Sequence, residues 1–229
     1  MICIADYRLP KEAIRTLEKM CEVLLFSARG LVYDAVSGHP DLFLCKTDSG
    51  LIYAPNCPSD IILQLQTKNI ELVAGLKKTG NHYPETSVYN CVTSENYLIH
   101  RQILTDSVIK NAFRDKIVID VKQGYARCTT MALPGNRFLT SDAGILKKLT
   151  AKNLGTLFVN AENILLPGLN HGFIGGTCGL INDTLVITGS LRHHTQNSDI
   201  EQFIALSNCK LLELSDTPLF DAGGLLFIE

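Results

Sequence analysis

One cysteine of this sequence lies where a side chain could act as a nucleophile. Cys128 ends a loop segment at residues 121–128, Val-Lys-Gln-Gly-Tyr-Ala-Arg-Cys, and an apolar segment follows it. A thiolate is an intrinsically strong nucleophile, and neighbouring positive charge or a base favours its formation. Arg127 and Lys122 belong to the same loop and could supply that charge. The alternative is that Cys128 packs in the core, because free cysteines behave as small apolar residues.

A histidine and an acid stand together much earlier in the chain, as His39-Pro40-Asp41. A histidine can protonate a leaving group and then activate water, and an adjacent acid can orient it or stabilise its charge. The other possibility is that His39 and Asp41 only shape a turn. Histidines and cysteines that come together could also bind zinc, but they have no short ligand spacing in this sequence, so we predict no metal and no cofactor.

The composition excludes several classes of function. The 229 residues are 46% hydrophobic and 19% charged, with a formal net charge of −2. Such a charge gives no electrostatic case for binding nucleic acid or an anionic membrane. The eight cysteines are scattered singly, which is typical of a reduced compartment. The first residues lack the pattern of a signal peptide, and no apolar run is long enough to span a membrane. We therefore expect a cytoplasmic protein.

An internal repeat organises the chain. Each unit has the order strand, strand, helix, strand, with a polar turn between the first two strands. Four complete units are predicted at residues 39–74, 87–121, 128–159 and 173–214. The two ends of the chain complete a fifth: residues 220–228 give its opening strand, and residues 2–26 give its second strand, helix and third strand.

The shared fifth unit predicts a closed ring. Joining both termini in one blade removes free sheet edges and locks a circle. A doubly wound sheet would instead alternate single strands with helices. We predict an α/β fold in the form of a closed five-bladed α/β propeller, as a single domain over residues 1–229. In such a ring, the loops that enter the five blades meet at one mouth.

Those loops hold most of the candidate functional residues. Scaffold loops at one end of a fold often carry the binding and catalytic groups. Cys128, His39 and Asp41 are the catalytic candidates. The substrate-binding candidates in the same loops are Asp221, Arg127, His82, Glu85, Asn170 and His171.

Three segments resemble the pentein superfamily of guanidine-modifying enzymes, which includes arginine deiminase, dimethylargininase and the amidinotransferases. Gly124-Tyr-Ala-Arg-Cys128 resembles the nucleophile segment of this family, His39-Pro-Asp41 its histidine-x-acid motif, and Asp221-Ala-Gly-Gly its acid-Gly-Gly segment. His39 and Cys128 open blades that are two apart, as in the hydrolases. The termini are permuted, because the family's nucleophile lies near its C-terminus.

The resemblance implies a hydrolase that cleaves the C–N bond of a guanidine or amidine. Cys128 would form a covalent intermediate, His39 would be the acid and base, and Asp221 would bind a cationic group of a small substrate. One position departs from the family: Gly176 stands where these hydrolases carry a substrate-binding acid. Two alternatives stay open, an amidinotransferase and a non-catalytic propeller that binds a partner, since fold alone does not fix function. The sequence does not indicate an oligomeric state.

Overall fold

The computed structural model of the protein describes residues 1–228 and contains five three-stranded mixed sheets. We number the strands β1 to β15 in chain order. Their bounds are β1 Ile2–Asp6, β2 Glu22–Phe26, β3 Leu44–Lys46, β4 Gly50–Tyr53, β5 Glu71–Ala74, β6 Val92–Thr93, β7 Tyr97–His100, β8 Ile117–Asp120, β9 Thr130–Leu133, β10 Arg137–Thr140, β11 Thr156–Phe158, β12 Cys178–Ile181, β13 Thr184–Ile187, β14 Lys210–Glu213 and β15 Leu226–Ile228.

All five sheets have the same plan. The central strand pairs antiparallel with the strand before it and parallel with the strand after it, as in β3-β4-β5 and β9-β10-β11. The fifth sheet joins the two ends of the chain: β15 pairs antiparallel with β1, with Ile228 opposite Ile2, and β1 pairs parallel with β2. Five small mixed sheets are therefore present, and the two ends of the chain form one of them together.

Helices connect the second and third strands of each sheet. Each turns a few apolar side chains inward, such as Ala13 and Leu17 of the first. Two helices begin at an aspartate that caps them: Asp106 accepts from Val108 N at 2.8 Å, and Asp142 accepts from Ile145 N at 2.7 Å. The connecting helices are α1 Lys11–Glu18, α2 Ser59–Gln66, α3 Ser107–Ala112, α5 Ala143–Thr150 and α6 Asn197–Leu206, and the short α4, Ala126–Thr129, precedes β9.

The opening strand of each unit is shorter than predicted. In four of the five units a helical turn replaces its first residues, at Pro40–Leu42, Glu85–Ser87, Ala126–Thr129 and Ile174–Thr177. Threonine hydroxyls stabilise two of these turns: Thr129 donates to Tyr125 O at 3.0 Å, and Thr177 donates to Ile174 O at 2.8 Å. Such local bonds compete with the sheet ladder. Cys128 therefore lies in a helical turn, and the prediction that it begins a strand was wrong.

The opening strands of all five sheets contribute to one cavity. Leu44, Val92, Met131, Leu180 and Phe227 each come from a different sheet, and all line one cavity of about 230 Å³. Buried apolar clusters join the neighbouring sheets to one another. The turns that precede these strands consequently come together, and this brings the candidate residues into contact. No helix in residues 1–228 is long and apolar enough to cross a membrane.

Candidate active site

Cys128 is held by Asn90, which comes from the neighbouring unit. The Asn90 side-chain oxygen accepts hydrogen bonds from the backbone N–H groups of Arg127, at 2.8 Å, and Cys128, at 3.1 Å. Its amide nitrogen donates to Cys128 Sγ at 3.2 Å. The buried side-chain amide of Asn90 thus pairs with two backbone N–H groups of the turn and also contacts the sulfur. Since buried polar groups need partners, Asn90 fixes where the thiol can lie.

Asp41 is the second contact of the thiol. Cys128 Sγ donates to Asp41 Oδ2 at 3.1 Å, and both side chains are almost completely buried. The sequence analysis expected Asp41 to orient or stabilise His39. Asp41 instead accepts a hydrogen bond from the cysteine. It lies within the helical turn at Pro40–Leu42, whereas His39 lies before that turn. Asp41 Oδ1 has no hydrogen-bond partner within residues 1–228.

His39 lies beside the same thiol, and the turn before the fifth opening strand packs against it. One nitrogen of His39, one oxygen of Asp41 and Cys128 Sγ all lie within 4.8 Å of one another. Gly223 has φ +64°, and a Cβ there would lie 2.4 Å from His39 Cβ. A glycine is therefore required to let this turn approach the imidazole. In the described chain, neither ring nitrogen of His39 has a hydrogen-bond partner, although the side chain is only 1% exposed.

Two further carboxyl groups flank the imidazole. His39 Nε2 is 3.7 Å from Asp221 Oδ1 and 4.0 Å from Asp6 Oδ2. Asp6 forms an ion pair with Arg8, with Arg8 Nη2 2.6 Å from Asp6 Oδ2. Asp221 is held by backbone amides, accepting from Phe173 N at 2.9 Å and Gly223 N at 3.0 Å. His39 therefore lies between two acids. Asp6 forms an ion pair with Arg8, whereas backbone amides, not a cationic side chain, hold Asp221.

The absence of an acid at position 176 has a steric explanation. A Cβ on Gly176 would lie 1.8 Å from Asp221 Oδ1. Asp221, from the next unit along the chain, therefore occupies the space that a side chain at 176 would fill. A carboxyl group is present at this place, but the segment before β15 supplies it. The departure from the family pattern thus does not remove negative charge from the site.

The site opens into a small cavity of about 90 Å³. His39, Cys128 and Asp221 contribute its polar groups. The rest of the lining is apolar or aromatic, and we call it the apolar wall. It comprises Tyr33, Val36, Leu42, Tyr125, Leu166, Leu169 and Phe173. Leu169 is 49% exposed and marks the side that faces solvent. A concave apolar site with a few convergent polar groups is the usual form of a small-molecule site.

Burial dominates the electrostatics. It raises the pKa of the Cys128 thiol well above its ordinary value, and the negative charges of Asp41 and Asp221 raise it further. Burial also raises the pKa of Asp41 to about 6 and that of Asp221 to about 7. For His39, burial and the nearby Arg8 guanidinium lower the pKa to about 3. At neutral pH the thiol and the imidazole are therefore both uncharged. These four groups lie together, although burial also shifts the pKa of groups elsewhere, such as His100.

The same side chains could hold a metal ion. His39, Asp41 and Cys128 offer nitrogen, oxygen and sulfur donors, a set that suits zinc. The sequence predicted no metal because the histidines and cysteines have no short ligand spacing. The fold brings them together across almost ninety residues, which spacing along the chain does not reveal. That no metal is bound stays a prediction.

The other predicted binding residues lie outside the cavity lining. His82 stacks on Tyr33 with ring centroids 6.5 Å apart, and His171 packs edge-on against Phe173 at 5.2 Å. Both thus support the apolar wall from outside. Glu85 and Asn170 are exposed.

Arg127 lies behind the site. Its guanidinium donates to Gly175 O at 2.5 Å and Cys178 O at 2.7 Å. Lys122, which was expected to favour the thiolate, is exposed. The substrate-binding roles predicted for Arg127, His82, Glu85, Asn170 and His171 stay predictions.

The sequence analysis did not identify Asn90 or Asp6. Asn90 falls in the segment 87–92, which was interpreted as a plain strand, and Asp6 ends the first strand. An amide or carboxylate inside an apolar run is costly unless it has a partner, and this was the available signal. Nothing in the sequence indicated that Tyr33 and Tyr125 would line a cavity.

The fold is that of the pentein enzymes. The structure resembles an agmatine deiminase from C. jejuni, with a TM-score of 0.59 and 11% identity over 93% of this chain and 86% of that one. It also resembles DDAH from Pseudomonas aeruginosa, solved as a cysteine-to-serine mutant with citrulline, with a TM-score of 0.55 and 11% identity over 93% and 91% of the two chains. For an amidinotransferase of saxitoxin biosynthesis from Microseira wollei the TM-score is 0.53, with 10% identity over 93% and 88%.

The sequence itself defines a more particular group. A family model described as "Family of unknown function (DUF6873)" matches residues 4–226. The chain belongs to this family. A search of curated proteins found no match.

The contact between Gly176 and Asp221 can be tested by a double-mutant cycle. We expect Gly176→Ala to lower the unfolding free energy by about 1–3 kcal/mol, because the new methyl overlaps the carboxylate. In an Asp221→Ala background the same change should cost less by about 1 kcal/mol or more. Chemical denaturation of the four proteins measures both values. Gly144→Ala, within α5, is the control for adding a methyl elsewhere. Equal costs in the two backgrounds would contradict the contact.

The buried carboxyl of Asp221 should make stability depend on pH. Its pKa is about 7 in the folded protein, whereas an unfolded aspartate has a pKa of about 3.9. The folded state therefore binds this proton more tightly. The resulting stabilisation is complete below pH about 4 and is lost as the pH rises through about 7.

The variant Asp221→Asn cannot lose this proton. Its unfolding free energy should consequently fall less than that of the wild type between pH 4 and 7. Asp41 and His39 are present in both proteins, so their titration largely cancels in the comparison. Denaturation curves across this pH range provide the measurement, with the exposed Asp115→Asn as control. Parallel profiles for the wild type and Asp221→Asn would show that Asp221 is not a buried acid.

Proposed function

We propose that the protein is a cysteine hydrolase that cleaves a C–N bond of a small guanidine or amidine. One observation carries the proposal: Cys128, Asp41 and His39 lie together beside a cavity that His39, Cys128 and Asp221 line. Cys128 would be the nucleophile and Asp41 would accept its proton. His39 would be the base, and Asp221 would supply a negative charge for a cation. DDAH and agmatine deiminase have the same pentein fold, and this likeness supports the same class of chemistry.

The charge of the substrate explains how a neutral thiol could become reactive. Asp41 and Asp221 both raise the pKa of the Cys128 thiol, because a thiolate beside them adds a further negative charge to a buried site. A guanidinium or amidinium in the cavity would offset that charge. Its arrival would therefore lower the pKa of the thiol, and the nucleophile would form only when substrate is bound.

The first half of the reaction forms the covalent intermediate. The thiol proton moves to Asp41 Oδ2, to which the sulfur already donates at 3.1 Å. The thiolate attacks the central carbon, a C–S bond forms, and the π electrons move to a nitrogen. The proton then passes by way of His39 to the departing nitrogen. The C–N bond breaks, a neutral amine leaves, and a cationic amidino-thioether stays on Cys128.

The second half regenerates the enzyme. Neutral His39, whose ring nitrogens have no partner in residues 1–228, takes a proton from water. The oxygen attacks the intermediate, and the C–S bond breaks with its electron pair on sulfur, which is reprotonated. The product is a urea or an amide, and the remaining proton is carried away by the released amine. The overall reaction is cation plus water giving carbonyl product plus ammonium ion.

We also infer that the five sheets close into a ring that forms a single domain over residues 1–229. The shared cavity between the opening strands supports closure, because each sheet contributes to it. So does the pairing of the terminal strands β15 and β1. The ring would hold Cys128, His39 and Asp221 at fixed positions relative to one another, although they come from three different units.

Covalent labelling tests the proposed function. Chloroacetamidine carries an amidinium and a chloride leaving group, so a thiolate in this site would displace chloride and retain one acetamidine. We expect mass spectrometry to find one such group on Cys128 of the wild type. Cys178→Ala is the matched control, because Cys178 is equally buried but lies in β12. It should label as the wild type does, and Cys128→Ala should not.

Two results would contradict the hydrolase. One is equal labelling of the wild type and Cys128→Ala, and the other is no labelling of either. Both would favour a ring that binds a partner without chemistry. When a labelled site is found, the products of candidate substrates separate hydrolysis from transfer, since a transferase forms a new guanidine in place of a urea.

A further inference from the structure

The cavity lining contains no cationic side chain. None of the ten residues that line it is a lysine or an arginine, and the titratable groups other than the two tyrosines are His39, Cys128 and Asp221. A ligand that carries a carboxylate would have to place it against the apolar wall. An unpaired charge in such surroundings is strongly unfavourable. Guanidino compounds that are amino acids therefore fit this lining poorly.

The two arginines nearest the site are already engaged. Arg127 donates to the backbone oxygens of Gly175 and Cys178. Arg8 pairs with Asp6 and donates to the backbone oxygens of Asp34, at 3.0 Å, and Ala35, at 2.9 Å. Each guanidinium thus stabilises the scaffold. Redirecting either one toward a substrate carboxylate would leave these backbone oxygens without their donors.

The tyrosines present ring faces to the ligand. Tyr33 and Tyr125 hydroxyls lie 3.3 Å apart, and the Tyr125 hydroxyl is also 2.5 Å from Thr86 Oγ1. Their polar ends are therefore occupied by one another, and the rings, with Phe173, form part of the apolar wall. Aromatic faces attract a planar cation and also pack against alkyl groups.

The volume limits the size of the buried group. The cavity holds about 90 Å³, whereas an engineered cavity of about 150 Å³ in another protein accommodates benzene. A guanidinium with one or two carbon atoms is therefore near the upper limit. A longer chain would leave along Leu166 and Leu169 toward solvent, over further apolar surface.

We propose that the substrate is a small monocation, a guanidine or amidine with a short alkyl substituent and no carboxylate. This inference rests on the hydrolase proposed above and narrows its substrate class. The negative side chains recognise the cationic head, and the apolar wall recognises the alkyl group. Arginine and its methylated forms would bind more weakly, because their charged far end would lie over the apolar surface at Leu166 and Leu169.

Protection against chloroacetamidine tests the substrate class. Propylguanidine, arginine and agmatine would each be added before the probe, and labelling of Cys128 would be followed by mass spectrometry. We expect propylguanidine to halve the labelling rate at a concentration about tenfold or more below that of arginine. Agmatine, which carries a second cation, should also protect more weakly than propylguanidine.

A pair of variants sharpens the comparison. Leu169→Arg places a cation at the mouth and should improve protection by arginine relative to propylguanidine. Leu165→Arg is the matched control, because Leu165 is 51% exposed and lies outside the cavity lining. It should leave the ratio unchanged. Equal protection by arginine and propylguanidine in the wild type would overturn the substrate class while the hydrolase stands. Absence of any labelling would instead overturn the hydrolase.

Discussion

The hydrogen bond from the Cys128 thiol to Asp41 is the interaction on which the candidate chemistry depends. It places a thiol and a carboxyl 3.1 Å apart in a site from which water is nearly excluded. Because both groups are buried, neither ionises easily, and the pKa of each is raised. The thiol consequently stays protonated while no cation is bound. A buried cation changes that balance, since it stabilises both negative groups at once.

The scaffold supplies this arrangement through side chains that cross between units. Asn90 from the second unit fixes the turn of Cys128 in the third, and Asp221 from the fifth fills the space beside Gly176 in the fourth. Contacts between units thus build the candidate site. Each opening strand contributes one turn to a common centre, and most of the site geometry is made of contacts between turns that are distant along the chain.

The order of strands and helices could be predicted from the sequence, because hydrophobic strands and polar turns recur at similar spacing. The sequence also predicted the fifth unit from the incomplete pattern at the two ends. It did not predict the helical turns, because apolar residues before a strand look like strand residues. The mouth was predicted through Cys128, His39 and Asp221, whose types are suited to catalysis. The partner of Asp41 and the role of Asn90 depend on side-chain directions, which no residue pattern encodes. The meaning of Gly176 depends on the same information, since only the folded chain brings Asp221 into its space.

The most direct measurement is the ultraviolet absorbance of the Cys128 thiolate as a function of pH. The difference between the wild type and Cys128→Ala isolates this thiol from the other seven cysteines. We expect the thiolate to appear at a lower pH when guanidinium chloride is present at concentrations far below denaturing ones, with sodium chloride as the ionic-strength control. The same pH profile with and without guanidinium, or a change that persists in Cys128→Ala, would contradict activation of the nucleophile by a bound cation.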